Sequence, residues 1–340
     1  MVHVIFLIAL FCMIPNLNRR YPFRYFSLVI LFLFIALRYD YGNDYMSYYY
    51  SHTLMNTGSY AWGSNDFLFR ILNISIPNFF VLIAVISLFY MMSIWHLIKN
   101  NLRINQYWFA MLILLINPYL FLVHLSSLRQ TLAICIFIFA LEFAAKRKFI
   151  HYMVLVLVAI GMHPSAVVLI PLYFLLTEKS FNKRWVFAIF IILIILIVTP
   201  LLDVIASVLL QYLPRHYSYY YELGAQNSIR ATLISSVYFL LVASNIGKLK
   251  GKEIIYGKLS LIATFISILA IKVSMVTRIG MYFDIFLIIS IPQIFNRIEK
   301  KLYRQILFVL LFTIYVLRYY SFFTNPLWES FIDYKTILGR

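Results

Sequence analysis

The densest chemistry in this chain stands in RYDYGNDYMSYYY, Arg38 to Tyr50, directly after an apolar segment, Tyr25–Leu37. The stretch carries one guanidinium (Arg38), two carboxylates (Asp40 and Asp44) and a run of tyrosines. Gly42 and Asn43 can turn the chain at a helix end. Beyond that turn Asp44 and Tyr48 stand one helical turn apart, as do Tyr41 and Tyr45. A carboxylate that takes a proton, a cation that meets an anion and ring faces that pack on sugars are what a sugar-handling site at a membrane boundary requires. An aromatic belt at headgroup depth accounts for the tyrosines by themselves. It does not require Arg38, Asp40 and Asp44 beside them, and that cluster favours a site.

Four further places hold candidate groups. Arg129 and Gln130, in HLSSLRQTLA, stand where an apolar span begins. An ionisable residue within a span is a functional candidate by default, with snorkelling to the interface as the plain alternative. His163, in AIGMHPSA, precedes the helix-breaking Pro164, and histidine is the usual side chain for moving a proton near neutral pH. A turn histidine is the plain alternative there. QYLPRHYSYYYELG repeats the Arg-plus-Tyr chemistry of the opening stretch with Arg215, and Arg230 follows it. The planar fork of arginine suits two phosphate oxygens at once, and a solvated amphipathic helix is the plainer reading of this segment. TRIGMYFD brings Arg278, Tyr282 and Asp284, with a structural ion pair of Asp284 as the alternative.

The elements that must position these groups are apolar. Of 340 residues, 63% are hydrophobic and 12% charged, whereas soluble domains are nearer a quarter charged. The expected fold is therefore all-α, a polytopic transmembrane helical bundle forming a single integral-membrane domain over residues 1–340. About twelve apolar spans are expected from the ~20-residue requirement, some of them short. They run Val2–Ile14, Tyr25–Leu37, Phe79–Ile98, Tyr107–Leu125, Thr131–Ala145, Phe149–Ile160, Ser165–Leu176, Trp185–Leu202, Ala231–Ile246, Ile254–Ile271, Ile279–Phe295 and Ile306–Val316. Val2–Ile14 reads as a retained span, since it lacks the cationic start and small-residue cleavage site of a signal peptide. Most of the 29 Lys and Arg residues fall in alternate linkers such as Lys146–Lys148 and Lys248–Lys258. Those linkers are expected to face the cytoplasm, leaving both termini and the longer segments at about 38–78 and 203–230 outside. The net charge of +17 thus reports topology rather than nucleic-acid binding. Cys12 and Cys135 lie in apolar segments, with no disulfide framework or metal-ligand spacing. No Walker loop, nucleotide glycine fingerprint or HExxH motif occurs. No internal repeat supports an inverted-repeat transporter.

In order and spacing, LRYDYGNDYMSYY, SSLRQTLA, AIGMHPSAVVLIPLY, TRIGMYFD and the tail DYKTIL resemble the EpsG/Wzy-type family of bacterial polysaccharide polymerases over nearly the whole chain. Arg38, Gly42, Asn43, Asp44 and Tyr45 fit the first family pattern; Ser127, Arg129, Gln130 and Ala133 fit the second. His163 and Ser165 fit the third, and Arg278 and Tyr282 the fourth. The tail departs from the usual Pro-Tyr, having Asp333 and Tyr334, and carries little weight.

The resemblance implies a metal-independent glycosyltransferase of the bacterial cytoplasmic (inner) membrane, without cofactor, whose active site faces outward. Its product would be O-antigen, capsule or exopolysaccharide. The implied substrate is a polyprenyl-diphosphate-linked oligosaccharide, whose growing glycan passes to a new lipid-linked repeat unit. Membrane lipids and a chain-length regulator protein are the further expected partners, and nucleic acid is not one. On this reading Arg129 and Arg278 meet the charge of the leaving diphosphate, and Asp44, Asp40 and His163 are the candidate bases, Asp44 the first choice and His163 the next. Arg38, Asp40, Tyr45, Tyr48, Gln130, Arg215, Arg230 and Tyr282 would bind substrate. An O-antigen-type ligase, a lipid-linked glycan flippase and, more weakly, a membrane acyltransferase built on His163 are the alternatives. The flippase would want charge through the depth of the membrane, whereas the polar positions here collect on one side.

Overall fold

The structure is a computed structural model and describes residues 1–14, 22–61, 63, 65–201, 203–204, 208, 229–273 and 276–339. The chain folds as two compact units, Met1–Leu175 with Lys301–Arg340, and Leu176–Lys300. Both are helical, and one pair of two-residue strands is the sheet found among the described residues.

The first unit opens with α1 (Val2–Cys12), α2 (Phe23–Ala36), β1 (Arg38–Tyr39), α3 (Tyr45–Asn56) and α4 (Phe67–Ser75). The longer helices α5 (Phe79–Asn101), α6 (Tyr107–Ile116), α7 (Pro118–Ser126), α8 (Leu128–Ala145) and α9 (Phe149–Met162) follow. A 3-10 stretch, Pro164–Leu169, and the single turn α10 (Leu172–Leu175) end the segment. Asn78 starts α5 by accepting from the backbone N–H groups of Phe80 and Val81 at 2.9 and 3.2 Å, which satisfies donors that a helix start otherwise leaves open. The run expected as one span, Tyr107–Leu125, is broken at Asn117 and bent by 57°. Pro118 has no N–H to continue the ladder and instead takes the first position of a new helix.

α8 is the centre of this unit. Its apolar stretch is 72% buried, with α5 on one side and α9 on another. A helix apolar on every face has nowhere else to go.

The second unit comprises α11 (Lys183–Val198), α12 (Ile229–Asn245), α13 (Lys252–Leu269), α14 (Val276–Asp284) and α15 (Leu287–Asn296). α13 packs against α12, α14 and α15, and a Ser260–Ser290 hydroxyl pair at 2.6 Å joins α13 to α15. The expected span Ile279–Phe295 is two helices bent by 48°. Lys258, grouped above with a polar linker, lies inside α13 and is buried. Its ammonium donates to the Thr177 carbonyl and hydroxyl at 3.0 and 2.9 Å and lies over the Phe181 ring, which replaces the water it gives up.

The last helix, α16 (Lys301–Phe323), returns to the first unit and rests its Phe308 ring against Trp108 and Phe109 of α6. Only 17% of its apolar stretch is buried, the pattern of a helix that faces lipid. A 3-10 turn, Pro326–Phe331, leads to β2 (Lys335–Thr336). β2 pairs antiparallel with β1, Arg38 opposite Thr336 and Tyr39 opposite Lys335.

Among the described residues, four helices are long and apolar enough to cross a membrane: α5, α8, α16 and the stretch Ile229–Lys248. The two bent pairs raise the number to six. Val2–Cys12, Phe23–Ala36, Phe149–Met162 and Pro164–Leu175 are shorter apolar helices, and the expected span Ser165–Leu176 is the 3-10 stretch followed by α10. The protein is a multi-pass membrane protein.

Candidate active site

Three elements of the first unit bring one acid and two bases together. Asp66 is the residue before α4, Arg129 is in the first turn of α8, and His163 ends α9. Arg129 Nη1 donates to Asp66 Oδ2 at 2.6 Å. His163 Nδ1 lies 3.6 Å from the same oxygen. An Asp in this position ordinarily caps its own helix. Asp66 makes no such bond, because its carboxylate is turned to Arg129. A cation in the first turn of α8 opposes the helix dipole, and Asp66 offsets that.

The Asp66 side chain is 5% exposed, Arg129 14% and His163 18%. His163 Nδ1 is buried, so the exposed part of the ring is the remainder, on the Nε2 side. Burial pushes the Asp66 carboxyl up, but His163 and the Arg129 guanidinium outweigh it and hold the pKa below the ordinary carboxylate value.

Glycines make the approach possible. Gly63 has φ of +85°, and its carbonyl accepts from Asp66 N at 3.1 Å, closing the turn that delivers the carboxylate. A Cβ there would stand 3.2 Å from Arg129 Cδ, so both backbone sign and space call for glycine. Gly161, two residues before His163, receives the Leu68 side chain of α4.

Tyr48 adds a fourth group. It is buried in α3 and its hydroxyl meets Arg129. Burial raises its pKa, with Arg129 opposing and the Asp44 charge adding to the rise. Asp44 is the residue before α3, and its carbonyl accepts from Tyr48 N at 3.0 Å. The turn ahead of α3 is held by the tail. Gly42, at φ +111°, donates its N–H to the Ser330 carbonyl at 3.3 Å, and Asn43 Nδ2 donates to the Leu327 carbonyl at 3.0 Å. The Ser330 hydroxyl donates to Asn43 Oδ1. Tyr334 stacks on Phe34, meets Tyr41 edge-on and donates its hydroxyl to the Phe34 carbonyl at 2.6 Å. The tail is therefore a brace for the opening stretch, a role its sequence did not announce.

Of the residues singled out from sequence, Arg129, His163 and Tyr48 come together, with Asp44 near enough for its charge to act on Tyr48. Gln130 is buried on α8. Arg38 and Tyr45 form a separate interior cluster. Arg38 donates to the carbonyls of Ile35 and Leu125, near the ends of α2 and α7, and Tyr45 donates its hydroxyl to the Arg38 carbonyl at 3.0 Å. Helix C-terminal carbonyls are a suitable setting for a buried cation, and burial brings the Arg38 pKa down only to about 10, so it stays charged. Asp40 is exposed, at φ +46°. In the second unit Arg230 and Arg278 are exposed and Tyr282 is buried. Arg215 lies outside the described residues. Among the described residues no group of three or more His, Cys, Asp or Glu side chains is placed to hold a metal ion.

Asp66 was not picked out from sequence. Its signal is an Asp directly before the apolar run FLFRIL, which is a helix-start pattern. That pattern explains the residue as a cap and gives no reason to look across the fold for an arginine.

The family model of the EpsG family matches residues 21–336. The chain belongs to the EpsG family. No curated protein and no solved structure matches it. The EpsG match runs from just before α2 to the end of β2, so it takes in the opening stretch, Asp66, Arg129, His163, TRIGMYFD and the strand-forming tail. Membership gives this EpsG-family protein a polymerase-type role in polysaccharide biosynthesis.

Proposed function

We propose that this protein joins polyprenyl-diphosphate-linked oligosaccharide repeat units at the outer face of the bacterial cytoplasmic membrane. The observation that carries the reading is the meeting of Arg129, Asp66 and His163 at helix ends, in a chain of the EpsG family. The acceptor hydroxyl oxygen attacks the anomeric carbon of the donor, and the bond from that carbon to the diphosphate oxygen breaks. His163 Nε2 takes the hydroxyl proton, and Asp66 holds the imidazole by its other nitrogen. The lipid diphosphate leaves as an anion. Arg129 meets its charge with a fixed fork, which serves where no metal is called on. Tyr48, whose hydroxyl meets Arg129, offers a hydroxyl and a ring to the sugar next to the diphosphate. Asp44 is the alternative base. The exposed Arg230 and Arg278 of the second unit are further candidates for phosphate.

The proposed topology has about twelve membrane passages, the shorter apolar helices included, with segments 38–78 and 203–230 outside. Cysteine placed at the exposed Ser47 should label from the outer face of intact cells. Labelling only after permeabilisation overturns the orientation.

The deciding experiment is gel banding of surface glycan in a deletion strain. A polymerase deletion leaves single repeat units attached. A ligase deletion leaves none attached, and a flippase deletion strands lipid-linked units inside. Complementation with His163→Gln or Arg129→Ala should keep the single-unit pattern.

A further inference from the structure

One carboxylate oxygen serves two partners here, and it serves them unequally. Asp66 Oδ2 is 2.6 Å from Arg129 Nη1 and 3.6 Å from His163 Nδ1. We propose that Asp66 is a resident anion that holds the Arg129 fork until a diphosphate displaces it, and that Asp66, once displaced, closes onto His163. The proposal rests on the reading of Arg129 as the diphosphate ligand.

Four observations support it. The side chain of Asp66 is almost enclosed, so a carboxylate leaving Arg129 needs another protein partner rather than water. His163 Nδ1 is buried, beyond hydrogen-bond reach of Oδ2 and without another partner. At 3.6 Å it is a donor that a displaced carboxylate reaches by a short movement. Asp66 makes no capping bond to α4, so its side chain is not fixed by its own helix. The segment that carries it turns at Gly63, at φ +85°.

The chemistry gives the exchange a direction. A carboxylate offers one negative charge. A diphosphate offers more charge and several oxygens to the same planar fork. When it takes Arg129, Asp66 loses its stronger partner and moves the short distance to His163. The Nδ1 proton is then fixed towards Asp66, and Nε2 presents a lone pair to the acceptor hydroxyl. The base is thus assembled by the arrival of the donor, and an acceptor that comes first meets an incomplete site. Asp66 is on this account a positioning residue. The catalytic contacts belong to Arg129 and His163.

The test measures binding and turnover separately. Full-length protein in nanodiscs is titrated with inorganic pyrophosphate by calorimetry, and the same variants complement the deletion strain. Asp66→Asn should bind pyrophosphate several-fold more tightly than the wild type, because the internal competitor is gone, yet make only single repeat units. Asp66→Ser, shorter and equally neutral, should do the same, which guards against a peculiarity of the amide. Equal or weaker pyrophosphate binding in both variants overturns the proposal, since that is what a purely structural Asp66 gives. Arg129→Ala should lose pyrophosphate binding. If it binds as the wild type does, the diphosphate reading of Arg129 fails first and takes this proposal with it.

Discussion

Gly161 and Leu68 occupy adjoining space so closely that a Cβ on Gly161 would lie 2.7 Å from Leu68 Cδ1 and Cγ. The glycine on α9 is therefore what lets α4 seat against it, and α4 carries Asp66 at its start. A packing contact between two apolar positions sets the distance between a carboxylate and an imidazole.

Gly161→Val should for that reason impair chain extension without touching a polar group. Overpacking of this kind costs about 1–3 kcal/mol, and here the strain displaces α4. Glycan length in the complemented deletion strain should fall to a few units or one. Adding Leu68→Ala makes room for the new side chain and should restore much of the length. Failure of the double variant to recover would separate Gly161 from the placement of Asp66.

Much of this arrangement is legible in the sequence, for identifiable reasons. α5 and α8 are read within a few residues, because long apolar runs admit few alternatives. Arg129 stands out because charge at the start of a span is expensive, and His163 because Pro164 ends the helix beside it. The breaks at Asn117 and near Asp284 are not read. An apolar run looks the same whether straight or bent, and Pro118 falls inside the run Tyr107–Leu125. Proximity in sequence groups Arg38 and Asp40 with Asp44. In the fold they part, Arg38 in the interior between two helix ends and Asp40, at φ +46°, at the surface. Asp66 is not legible in this way because its partners are 63 and 97 residues away, and a pairing across three helices leaves no periodic trace.

The choice of base divides His163 from Asp44. Asp44→Asn keeps shape and hydrogen bonding and removes basicity, and His163→Gln does much the same for the imidazole. Loss of a general base typically costs ~10²–10⁴-fold in rate. His163→Gln should stop extension at single repeat units, whereas Asp44→Asn should shorten chains without abolishing them. The reverse result in the same banding assay would make Asp44 the base and leave His163 to orient the substrate.

Arg129→Ala should abolish polymerisation with the protein still present in the membrane. Arg129→Lys should also be poor, because a point charge does not span two phosphate oxygens and its shorter contact surface no longer fills the space beside Gly63. Immunoblotting of membranes beside glycan banding checks both. Wild-type glycan length in the lysine variant would show that charge alone is enough.

The tail makes a separate claim. Tyr334 ties the chain end to Phe34 and Tyr41, and burial raises its hydroxyl to about 12, so it remains a neutral donor at any working pH. Tyr334→Phe removes the hydroxyl bond and should cost about 0.5–1.5 kcal/mol. Tyr334→Ala removes the ring as well and should cost more, lowering the thermal midpoint of purified protein. Both should shorten the glycan through the Gly42–Asn43 turn. Equal midpoints for wild type and Tyr334→Ala would mean that the tail braces nothing.

The last prediction concerns acid. The Asp66 carboxyl lies below its ordinary value in the folded protein, so folding favours its ionised form. A group depressed in this way contributes stability that is fully present above its unfolded pKa, about 4. That contribution is lost as pH falls through the folded value. Protonation also removes the anion from Arg129, leaving a partly buried guanidinium to be met by its remaining contacts and by water. Asp66→Asn is neutral throughout and has no such contribution to lose. The wild type should therefore melt higher than Asp66→Asn at pH 7, and the gap should narrow steadily below about pH 4. Thermal melting of the two proteins in the same detergent from pH 7 down to the acid limit of the preparation reads the gap directly. A gap that stays constant across that range would mean that the carboxylate charge of Asp66 adds nothing to the fold.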